Sequence, residues 1–71
     1  MVNPLQVELQ RLVRMAGEPH MAHASIRQIF DFQKRNPDFN IQSVLQHQSN
    51  YFRIYIERQL EIFRHKEGTF F

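Results

Sequence analysis

Apolar positions near the start of the chain recur at helical spacing. Leu5, Leu9, Leu12, Val13 and Ala16 fall within one arc of a helical wheel, while Gln10, Arg11 and Arg14 point away. Asn3 can cap this stretch with its side-chain oxygen, Pro4 sits where its missing N–H does no harm, and Gln6 stands at capping-box spacing. Gly17 closes it, as the residue that most readily turns left-handed. The pattern predicts a first helix over about 4–16. A second face follows in Ala22, Ile26, Ile29 and Phe30, continued by Gln33, with Phe32 toward its edge. Pro37 disfavours helix at the residue before it, so this helix runs from about 20 to 35. Ser25 with Gln28 is a competing start that leaves 18–24 as a loop.

Asn36 and Pro37 suit a turn and Asn40 a helix cap, with Phe39 and Val44 spaced as a hydrophobic staple. From there the pattern predicts one helix over about 40–66, stopped by Gly68 and roughly 40 Å long. On its wheel Ile41, Val44, Leu45, Tyr51, Phe52, Tyr55, Ile56, Ile62 and Phe63 make one broad face, with Arg53, Glu57 and Arg64 opposite. Aromatics and arginines that alternate in NYFRIYIERQLEIFR therefore separate in space. A platform for nucleic acid needs them on the same face, so the stretch reads as a packing seam. Arg53, Glu57, Arg58, Glu61 and Arg64 form a solvated flank with pairs at spacings of three and four.

The fold class expected is all-α: two short helices and a long third as spine. A spine of that length carries more apolar arc than two short helices cover easily, which favours completion by a two-fold homodimer. The expected interface is Leu45, Gln48, Phe52, Tyr55, Ile56, Gln59, Ile62 and Phe63. Gln48 and Gln59 project near the middle of the apolar arc. They either fill gaps that reach water or pair across subunits and fix the register, and the two tyrosines suit the same place because a phenol buries its ring and keeps its hydroxyl wet.

Composition sharpens this picture. A chain of 71 residues is one small domain with a thin stability margin, and having no cysteine it lacks disulfides, thiolate zinc sites and cysteine nucleophiles. Association is the staple left. The net charge of +2 comes from basic residues spread along the chain, whereas nucleic-acid binders concentrate them. Glu8, Arg11 and Arg14 interrupt the first apolar pattern, and no run approaches the roughly 20 apolar residues of a membrane span. A soluble cytoplasmic protein without a membrane partner is the expectation.

Candidate chemistry is sparse. His20 and His23 lie three apart and Glu18 could add a carboxylate, but two histidines make no structural zinc site; His47 and His65 are about five turns apart on one helix. Asp31 and Asp38 read as a solvated helix position and a turn residue. No serine–histidine–acid set, phosphate-cradling glycine loop or paired carboxylates stand out. No catalytic, cofactor or metal residues are expected. The function expected is a small non-enzymatic protein–protein interaction module, a regulator, adaptor or assembly subunit, working through the third helix with a second copy and another protein as partners. The alternative is a helix-turn-helix-like DNA-binding regulator, with Gln42, Ser43, Gln46 and His47 at bases and Lys34 and Arg35 on phosphates. The terminal Phe70 and Phe71 either fold back or offer a docking point. The similar openings NPLQ and NPDF are followed by different apolar registers, so no internal duplication is read.

Overall fold

Four helices and no strand make up residues 3–68, the part of the chain that the computed structural model describes: α1 (Pro4–Met15), α2 (Ala22–Arg35), α3 (Gln42–Leu45) and α4 (Asn50–Glu67). The all-α expectation holds. The single third helix does not, for it is divided in two.

Local chemistry sets most boundaries. Asn3 is extended and its Oδ1 accepts the Leu5 N–H at 2.9 Å, with Pro4 opening the helix. α2 begins at Ala22, between the two starts the sequence allowed, and no side chain caps it. It ends before Pro37, and Asn40 then accepts the Gln42 N–H on Oδ1 at 3.0 Å. Gly68 ends α4 in the left-handed conformation, at φ 64. Gly17 behaves differently from expectation, because Gly68 alone has positive φ among the described residues. A Cβ at Gly17 would stand 3.3 Å from the Arg14 carbonyl oxygen and 3.9 Å from Cζ of Phe52. Gly17 thus follows the end of α1 in ordinary contact with Phe52, and is not a left-handed stop.

The break after α3 has a physical reason. Gln46 to Asn50 are all polar, so nothing apolar draws the helix through them onto the core. Ser49 turns extended (ψ 152), and its Oγ accepts the Phe52 N–H at 3.3 Å. That cap starts a new helix in a new phase. α4 has 18 residues and is about 27 Å long, well short of the expected 40 Å spine.

The spine is α2. It packs against α1 and against α4, while α3 packs against α1. Being covered from two sides, α2 buries Ser25, Ile26, Ile29, Phe30 and Phe32, a wider arc than one partner helix requires. Phe32, expected at the edge, is fully buried, and its ring meets Phe39 edge-on at 5.5 Å. Leu9, Leu12, Val13 and Ala16 of α1, Ile41, Val44 and Leu45 around α3, and Ile56, Leu60 and Phe63 of α4 complete the core. Phe30 and Phe63 stack at 5.8 Å. Over them lie the Arg27 guanidinium, 5.6 Å from the Phe63 ring centre, and the Lys34 ammonium, 5.4 Å from that of Phe30. Both cations bond the Glu67 carboxylate, at 3.0 and 3.4 Å.

Truncating Ile56 or Leu60 to alanine is expected to cost about 2–5 kcal/mol in urea denaturation, whereas Ile54→Ala on the opposite face changes stability by about 0.5 kcal/mol at most. The reverse order would place the core on the other face of α4. Ser25 is fully buried and its Oγ has no hydrogen-bond partner. Replacing it by alanine removes an unsatisfied hydroxyl and improves helix propensity, so Ser25→Ala is expected to melt at or above the wild-type temperature.

Candidate functional site

Counted from its own cap at Ser49, α4 carries two apolar stripes. Phe52, Ile56, Leu60 and Phe63 face inward: the last three are buried, and Phe52 packs half-buried against the core. Tyr51, Tyr55, Arg58 and Ile62, at successive spacings of four, three and four, run along the outer face with Ile54 beside them. Tyr51 is 88% exposed, Ile54 42%, Tyr55 37% and Ile62 48%. The only other large apolar side chain so exposed among the described residues is Val7 of α1, so the surplus apolar surface is concentrated on one helix face. Tyr51, Ile54, Tyr55, Arg58 and Gln59 line an open groove of about 390 Å³ there. The Tyr55 ring stacks on Phe52, centroids 6.4 Å apart and planes 17° apart.

The expected interface residues divide accordingly. Leu45, Ile56 and Phe63 lie in the core of the chain itself, and Phe52 leans on it. Gln48 and Gln59 are both half-buried, but Gln48 sits in the turn before α4, so the two no longer share a helix. Gln59 borders the outer groove. Tyr55 and Ile62 are the two of the eight that stand exposed. Tyr51, Ile54 and Arg58 belong beside them and were not in the expected set. Ser49 was the available signal: restarting the wheel there separates the two stripes.

The groups proposed for phosphate contact are engaged within the chain. Lys34 pairs with Glu67, and Arg35 pairs with Glu8 at 3.2 Å and also donates to the Asp31 carbonyl. Gln42, Gln46 and His47 are exposed and Ser43 half-buried, but they lie on a helix of four residues and the turn after it, not on a long recognition helix. A concavity of about 440 Å³ between α1 and α2 is larger than the α4 groove, and is lined by Glu8, Arg11, Gln28, Asp31, Lys34 and Arg35. Within it Glu8 and Arg35 pair with each other, while Lys34 and Asp31 are held by Glu67 and Arg27 outside the lining. On the flank of α4 Arg53 pairs with Glu57 at 3.1 Å and Arg64 with Glu61 at 2.8 Å, whereas Arg58, expected in that flank, lines the outer groove.

His20 and His23 are exposed, the His23 ring 5.5 Å from that of Phe63. Among the described residues no three His, Cys, Asp or Glu side chains come together as metal ligands, and no helix is long and apolar enough to cross a membrane. Phe70 and Phe71 lie outside the described residues.

Because Glu67 holds two partly exposed cations, Glu67→Gln is expected to lower stability by roughly 1 kcal/mol or less, with the loss shrinking as salt is added. A loss unaffected by molar salt would point to packing in place of charge. Comparison of the chain with protein-family models, with curated proteins and with solved structures gave no match in any of the three.

Proposed function

We propose that this protein is a small non-enzymatic interaction module, a regulator, adaptor or assembly subunit, whose docking surface is the outer face of α4. One observation carries the reading: among the described residues, four of the five exposed large apolar side chains, Tyr51, Ile54, Tyr55 and Ile62, share that face. Exposed apolar residues scattered singly need no explanation, but a contiguous patch bounded by polar groups is the usual mark of an interaction site. Tyrosine and arginine are also the side chains that most often anchor such interfaces, and Arg58 stands between Tyr55 and Ile62 in the stripe.

The face lies on the back of a helix whose other side is packed into the core, so its backbone geometry is set before any partner arrives. The occupant it suits best is a helix laid lengthwise, with side chains entering between Tyr51 and Tyr55 and beyond Arg58. Nothing in the arrangement asks for a reacting group or a bound cofactor.

A photoreactive amino acid in place of Tyr51, compared with one at exposed Gln10 of α1, tests the reading in the native host. Covalent protein adducts are expected from position 51 and not from position 10, and they are expected to disappear when Ile54→Lys and Ile62→Glu are added. Equal yields from both positions, or adducts that survive the two substitutions, would sink it.

A further inference from the structure

We draw no further inference here: the strongest candidate, the outer stripe of α4 with exposed Tyr51, Ile54, Tyr55 and Ile62 around Arg58, belongs to the docking face already described, and nothing in the structure shows what covers it.

Discussion

The stack of Phe63 on Phe30 sets the rotation of α4 on α2, and the rest of the helix follows from it. Once Phe63 faces the core, the helical period turns Phe52, Ile56 and Leu60 inward with it, and Tyr51, Tyr55, Arg58 and Ile62 outward. Arg27 and Lys34 reinforce that rotation, since they lie over the two rings and hold Glu67 at the far end of the helix. The carboxylate sits at a helix C-terminus, where the dipole disfavours it, and two cations offset that cost.

Division of labour among the helices explains why apolar surface is left over. α2 is covered on two sides and consumes its whole apolar arc. α1 and α3 close the opposite side. α4 reaches the core along one stripe only, so a second stripe on the same helix has no internal use. Arg53, Glu57, Glu61 and Arg64 pair on the flank between the two stripes, which keeps the polar boundary of the outer one well defined.

Where structure is dictated by neighbours in sequence, it was legible. The cap at Asn3, the bond from the Gln42 N–H to Asn40 one residue ahead of the α3 cap position, the boundary before Pro37, the left-handed stop at Gly68 and the ion pairs of α4 need only local geometry. Where it depends on what lies across the core, it was not. Phe32 lies at the edge of the wheel face of α2 and is buried because α1 and α4 both pack on that helix, and Gly17 follows the end of α1 without the left-handed φ expected of it. The polar run from Gln46 to Asn50 reads as part of a continuous helix, with Gln48 set in its apolar arc, which concealed Ser49 as a cap. That one miss merged two stripes into a single wide arc, and it mixed core residues such as Ile56 and Phe63 with surface residues such as Tyr55 and Ile62.

The contact between Tyr55 and Phe52 has an entropic meaning. Tyr55 belongs to the outer face, yet its ring rests on a side chain that itself rests on the core. An ordinary surface tyrosine samples several rotamers and must give up that freedom when a partner covers it, at roughly 0.5–1.5 kcal/mol for each immobilised side chain. Tyr55 has surrendered much of it on folding, whereas Tyr51, 88% exposed one turn earlier, has not. The outer face therefore offers an anchor already set in place at its middle and a freer ring at its end, so ordering on contact proceeds outward from Tyr55.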